Sequence, residues 1–145
     1  MTINEDTGCI TLPEIGAVIS SSLSRSQFLQ TTAFSAASVS VRNEPWCSYQ
    51  LSNIPQPDTK LYIVFQFHGE QLREFRFSHA APQFGTSWGD WSEDRELARK
   101  AFHERWLVQE LHVPPGKFPW GDISSHYDER GGFSSIILRY ANRNA

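Results

Sequence analysis

The stretch LYIVFQFHGEQLREFRF, Leu61 to Phe77, decides the fold class. Leu61, Ile63, Phe65 and Phe67 alternate with Tyr62, Val64, Gln66 and His68, a period of two that puts each set on its own face of a strand. Gly69 interrupts the pattern and Phe75 and Phe77 share a face on the return, so the segment reads as a β-hairpin. The first strand is apolar on nearly both faces, which predicts a central position with a helix on one side and loops or a second layer on the other. The return strand, with Arg73, Glu74 and Arg76, is expected to be more exposed.

Upstream, ASVSVRNEPWCSYQL keeps the period of two. Val39 and Val41 share one face, Cys47, Tyr49 and Leu51 another, and Pro45 marks a bulge or break between them. IPQPDTK, with two prolines and an aspartate, reads as the turn leading into the hairpin. Nearer the start, CITLPEIGAVISSS offers one or two short strands broken by Pro13 and Gly16. Ser24 is placed to cap a short helix that Phe28 and Leu29 hold down.

Downstream, SHAAPQFGTSWGD reads as a loop, and Ser92 stands where the N-cap of a long helix belongs. That helix is expected to run to about Leu111, ahead of Pro114, Pro115 and Gly116. Glu93 and Asp94 place negative charge on its first turn, and Glu96 and Lys100 make a favourable pair one turn apart. On a helical wheel Leu97, Ala101, Val108 and Leu111 form a broad apolar stripe, with Leu107 at its edge. Ala98, Phe102 and Trp106 form a second, and Glu96, Arg99, His103 and Glu110 a polar wedge. One stripe is expected to pack on the sheet, the other to be covered by the tryptophan-rich loop or a partner. The closing stretch, PWGDISSHYDERGGFSSIILRY, reads as a second hairpin turning at DERGG. The expected architecture is α+β: an antiparallel sheet of about five strands built from two hairpins, one long helix packed across it, a short N-terminal helix, and a single domain over residues 1–145.

Composition narrows the function classes. The chain has 145 residues, a formal net charge of −3 and basic residues interleaved with acids, which argues against nucleic acid as a partner. Its opening residues do not read as a secretory signal and no apolar stretch approaches a membrane span, so a cytoplasmic protein without membrane contact is expected. Cys9 and Cys47 lie far apart without a second pair, the pattern of two reduced thiols and not of a zinc site.

No motif fixes a reaction. HERWL begins like a helical zinc-protease motif, but Leu107 stands where the second histidine belongs, so His103 reads as a surface residue on the polar wedge. Asp122, Ser124 and His126 can line one face of a strand, yet no nucleophile turn or oxyanion donor accompanies them. Glu104 falls inside the broad apolar arc, where Lys100 or Arg105 can answer its charge. No catalytic residue, metal ligand or cofactor site is assigned. The unusual feature is aromatic: five tryptophans and ten phenylalanines. Indole offers large contact area with few rotatable bonds, so tryptophans beside Gly and Asp in loops suit a binding surface. Trp88 and Trp120 each open a WGD tripeptide at a loop-to-element junction and are expected to be neighbours at one end of the sheet.

The order of SLSRSQFL, VRNEPW, WSEDRELARKAFHERWL and PWGDISSHYDERGGFSSIILRY resembles small bacterial α+β proteins of the toxin-immunity type. The resemblance implies a cytosolic, acidic protein that performs no chemistry and neutralises a toxin by tight binding. A protein partner is expected, and the aromatic loops and acidic edges of the chain, not the resemblance, point to the residues that would occlude its active site: Trp88, Asp90, Trp91, Glu93, Asp94, Trp120, Asp122, His126, Asp128 and Glu129. The alternative is a small-ligand domain or small enzyme. Its cleft would lie between helix and sheet, lined by Trp88, Trp91, Phe102 and Trp106, with Glu104 or His126 as the polar group.

Overall fold

The computed structural model describes residues 1–57, 59–85 and 87–141. The hairpin at Leu61–Phe77 is present, with β6 (Thr59–His68) and β7 (Gln71–Ala80) pairing antiparallel around Gly69. What surrounds it corrects the expected architecture. The described residues form ten strands in two antiparallel sheets, so the chain is mostly β and not a five-stranded sheet with a helix across it.

The large sheet has seven strands: β4 (Ser38–Asn43), β5 (Trp46–Gln56), β6, β7, β10 (Phe133–Tyr140), β9 (Gly121–Asp128) and β8 (Gly116–Phe118), in that order. The small sheet joins β1 (Thr2–Ile3), β2 (Ile10–Thr11) and β3 (Val18–Ile19). Strands of two or three residues leave little periodicity to read, which is why β1, β2, β3 and β8 are faint in the sequence. The prolines of IPQP misled in the other direction. Ile54, Pro55 and Gln56 continue β5 beyond an irregularity after Leu51 and pair with Leu61, Lys60 and Thr59; Asp58 lies outside the described residues.

β7 is the middle strand of the seven, not an exposed return strand. It pairs with β6 on one side and with β10 on the other, Phe77 opposite Ile136 and Phe75 opposite Leu138. Its Glu74 is buried between neighbouring strands, close to the guanidinium groups of Arg76 and Arg139.

The sheet has one covered face. Cys47, Tyr49, Leu51, Ile63, Phe65, Phe75, Phe77, Ile136, Leu138 and Ile123 align on it and are buried in one core cluster. The N-terminal segment shares that face with α2 (Glu93–Glu110). Phe28 of α1 (Arg25–Leu29) lies with ring centroids 4.6 Å from Phe65 and 5.2 Å from Tyr49, and Ile10, Leu12, Ile15 and Ile19 join the same cluster. α1 is short and needs its cap: the Ser24 hydroxyl accepts from Gln27 N–H while the Gln27 side chain accepts from Ser24 N–H. The opposite face, with Gln50, Val64, Gln66, Arg76 and Ser124, is mostly half-buried and polar, although Ser48, Ser135 and Ile137 are buried in it, and the edge strand β4 is exposed along its whole length, Val39 and Val41 included.

α2 begins as expected, with the Ser92 hydroxyl accepting from Arg95 N–H, but it is turned over. Glu96, Arg99, His103 and Leu107 are its buried residues, whereas Leu97 and Val108 of the broad apolar stripe face outward. Three members of the expected polar wedge are thus the packed surface, and His103 is not a surface histidine. Phe102 and Trp106 flank that buried strip, Trp106 against Phe77 at 5.7 Å and Phe102 against His79 at 5.1 Å. Both free cysteines are present as such, Cys47 buried and Cys9 half-buried.

Candidate functional site

A cleft of about 540 Å³ opens where the N-terminal end of α2 meets the large sheet. Tyr62 and Phe133, 6.0 Å apart edge to face, come from β6 and the start of β10; Ser78 and Ala80 come from β7. Phe84 ends the helical turn Pro82–Phe84, and Trp88 and Trp91 come from the segment leading into α2. The tryptophans are held by local chemistry. Asp90 accepts from the Ser87 N–H at 2.9 Å, closing the turn Trp88–Asp90, and the Arg95 guanidinium donates to the Asp90 carbonyl at 2.8 Å. Trp91 Nε1–H donates to the Gly132 carbonyl at 2.8 Å. Gly132 has φ +65°, and a Cβ on it would lie 3.1 Å from the Trp91 ring, so this turn of β9–β10 needs glycine twice over. Trp88 is left 77% exposed and Trp91 40%.

The floor of the cleft is polar, and most of its groups engage one another, although Arg99 Nε is buried without a hydrogen-bond partner. Arg99 lies between two rings, its guanidinium carbon 4.8 Å from the Phe133 centroid and 5.5 Å from that of Phe84. It pairs with Glu96 at 3.4 Å and donates to Ser78 Oγ and the Phe84 carbonyl. Glu96 in turn accepts the Ser134 N–H at 2.9 Å, its main-chain carbonyl accepts the Ser134 hydroxyl at 2.7 Å, and Ser78 Oγ–H donates to the Ser134 carbonyl at 2.8 Å. Burial lowers the Arg99 pKa against the opposing attraction of Glu96, but a guanidinium begins high enough to keep its proton.

Behind this floor lies a buried imidazole pair. His103 Nε2 accepts the main-chain N–H of His79 at 3.1 Å, and the two rings are 5.2 Å apart. Burial, with the charge of Arg99 adding to it, lowers His79 to about 4; burial first, then His79 and Arg99, lowers His103 to about 3. Both rings are neutral at physiological pH and closed off from solvent, so neither is placed to exchange protons with a bound molecule. No group of three or more His, Cys, Asp or Glu suited to a metal occurs among the described residues.

The structure divides the residues singled out in the sequence. Trp88 and Trp91 line the cleft, with Asp90 securing the turn between them. Glu93 and Asp94 are exposed on the first turn of α2, and Asp128 and Glu129 are exposed at the β9–β10 turn. Their nearness registers on Tyr127, whose hydroxyl is raised above its ordinary range by desolvation first and then by Glu93, Glu129, Glu96 and Asp128. Trp120 stands elsewhere: it stacks on Phe118 at 5.2 Å, its Nε1–H donates to the Glu5 carbonyl, and its ring covers Gly8. It precedes β9 while Trp91 binds the turn at the other end. The eight residues of β9, roughly 26 Å at 3.3 Å each, separate the two WGD segments, which are not neighbours. Asp122 and His126 lie along the polar face of β9, Asp122 near Arg139 at 3.8 Å and His126 opposite Ser135, so neither joins the cleft.

Phe102, Trp106 and Glu104, expected in a cleft between helix and sheet, are outside it too. The first two pack on His79, and Glu104 pairs with Lys100 on the outer side of α2. Sequence reasoning missed Tyr62, Ser78, Phe84, Glu96, Arg99 and Phe133. Glu96 and Arg99 stand in sequence among other charged residues, in the polar wedge of the helix, so nothing local set them apart from a solvated pair.

No family model, curated protein or solved structure matches the chain. Among the described residues no helix is long and apolar enough to cross a membrane.

Proposed function

We propose that the chain is a bacterial cytoplasmic binding protein without catalytic activity of its own, an immunity protein that covers the active site of a cognate toxin. The observation that carries this reading is Trp88, 77% exposed at the mouth of a cleft and held there by the Ser87–Asp90 turn. An indole kept in solvent by its own scaffold costs hydrophobic free energy in the isolated protein, and a partner that buries it recovers that energy. Trp91 stands beside it, and Glu93, Asp94, Asp128 and Glu129 supply an acidic rim that favours a basic partner surface. The buried polar groups support binding over chemistry: Glu96 and Arg99 engage each other, and the two histidines are shut away.

The test is co-expression with a toxin encoded beside the gene in the bacterial host. The wild-type protein restores growth and binds the toxin; Trp88→Ala weakens binding by about tenfold or more without lowering the melting temperature. Absence of protection by the wild-type chain, or full binding by Trp88→Ala, overturns the reading. The volume of the cleft favours a second reading, a small-ligand site, because about 300–1,000 Å³ is the size of such pockets. A thermal-shift screen against metabolites separates the two: a rise in melting temperature lost in Tyr62→Ala supports the small ligand, and a flat response removes it.

A further inference from the structure

The reversed orientation of α2 leaves apolar side chains without cover. Leu97 is 44% and Val108 50% exposed, and Ala101 lies between them on the wheel. Beside them a shallow groove of about 400 Å³ is lined by Ala101, Glu104, Arg105, Val108 and Gln109. The first four stand at i, i+3, i+4 and i+7, the diamond of side chains that receives one knob from a facing helix.

We propose that this face joins two copies of the chain, with α2 packed antiparallel against the partner's α2 about a two-fold axis near Ala101. Such an axis sets each position opposite the one equally far beyond Ala101, so Leu97 arrives level with the partner's Glu104 and the partner's Arg105, inside the groove. The partner's Leu97 enters the groove of the first copy in return, the reciprocity a two-fold interface requires. Ala98 and Ala101 are small enough to let the helices approach closely.

The charges obey the same symmetry. Asp94 and Arg105 lie on one flank of the stripe, and among the described residues neither has an ion-pair partner within the chain. The axis brings the partner's Arg105 within three helical positions of Asp94, about 4.5 Å of rise, twice over. On the other flank Lys100 and Glu104, already paired within the helix, meet the partner's Glu104 and the partner's Lys100 as a reciprocal square. A parallel pairing sets every residue level with its own copy and leaves Asp94 and Arg105 about 16 Å apart along the axis. The groove shares no lining residue with the tryptophan cleft, but Asp94 belongs to both surfaces, so Leu97→Asp and Trp88→Ala, which each touch one surface alone, separate this inference from the proposed function.

Sedimentation equilibrium of the full chain, from about 1 to 500 µM, tests it. The weight-average mass rises with concentration from 16.6 kDa toward twice that value. Leu97→Asp and Arg105→Asp each weaken association by about tenfold or more, with unchanged circular dichroism. The double variant Asp94→Arg/Arg105→Asp restores it, because the pair is re-formed with its signs exchanged, and Trp88→Ala leaves it unaltered. A wild-type mass that stays at 16.6 kDa throughout, or a double variant no better than Arg105→Asp, overturns the proposal.

Discussion

Arg99 is a cation with almost no access to water, and the free energy of its site depends on each partner being present. Its side chain is 7% exposed and that of Glu96 3%. Arg99→Ala leaves the Glu96 carboxylate buried without its counter-charge, and a loss of about 3–5 kcal/mol is expected in urea unfolding. Replacing both by apolar residues, Glu96→Leu with Arg99→Met, is expected to cost less than either single change, because neither charge is then left stranded. His79 and His103 set a pH dependence. Both pKa values are depressed in the fold, from 6.5 to about 4 and about 3, so below pH 6.5 the unfolded chain binds more protons than the folded one. Their stabilisation is complete above pH 6.5 and declines as pH falls toward 4 and then 3. The urea midpoint should drop between pH 7.5 and pH 5, and His103→Phe should flatten that slope; a midpoint as pH-sensitive in His103→Phe as in the wild type would refute the assignment. At this scale the sequence disclosed Trp88 and Trp91, whose neighbours Gly and Asp mark a turn. It concealed Arg99 and His103, because a polar residue is outward by default and only tertiary partners reverse that.

Among the elements, α2 illustrates how capping and packing are separately encoded. The start at Ser92 is local chemistry, a hydroxyl over a free main-chain N–H, and it was legible; Ser92→Ala should lower stability by about 1 kcal/mol in thermal unfolding. Its orientation was not legible, because Glu96, Arg99 and His103 find their partners on β7, β10 and the segment after β7, at distances in sequence that no periodicity records. The two hairpins divide in the same way. Their turns, at Gly69 and at the glycines of DERGG, are local and were read; the pairing of β7 with β10, Phe77 opposite Ile136, is remote and was not. Gly132→Ala tests the second turn: a left-handed φ of +65° and the nearby Trp91 ring predict a loss of about 1–2 kcal/mol and a displaced Trp91. A variant with wild-type melting temperature and tryptophan emission would show that the turn accommodates a side chain after all.

For the molecule as a whole, one hydrophobic cluster runs from Ile10 in the small sheet through Phe65 and Phe75 to Leu107 and Leu138. Elements that share one core lose their stabilisation together, so tryptophan fluorescence and far-ultraviolet circular dichroism should give coincident urea transitions. Separated midpoints would show that the N-terminal segment unfolds by itself. The alternating strands made the β content of Leu61–Phe77 and of the stretch from Val39 to Leu51 readable; the extension to seven strands was hidden in the short β8 and in the joining of separate hairpins into one sheet. The buried polar face of α2 also bears on the order in which the chain assembles. A helix with an apolar inner face gains free energy from partial, slippery contact with a growing core, but Arg99, Glu96 and His103 are stabilised only when Ser78, His79 and Ser134 already stand in register. α2 should therefore dock after the β6–β7–β10 pairing exists, with a folding transition state expected to hold the central strands and little of the helix. Conservative truncations on β6 and β7 should slow folding, whereas those on the inner face of α2 should chiefly speed unfolding.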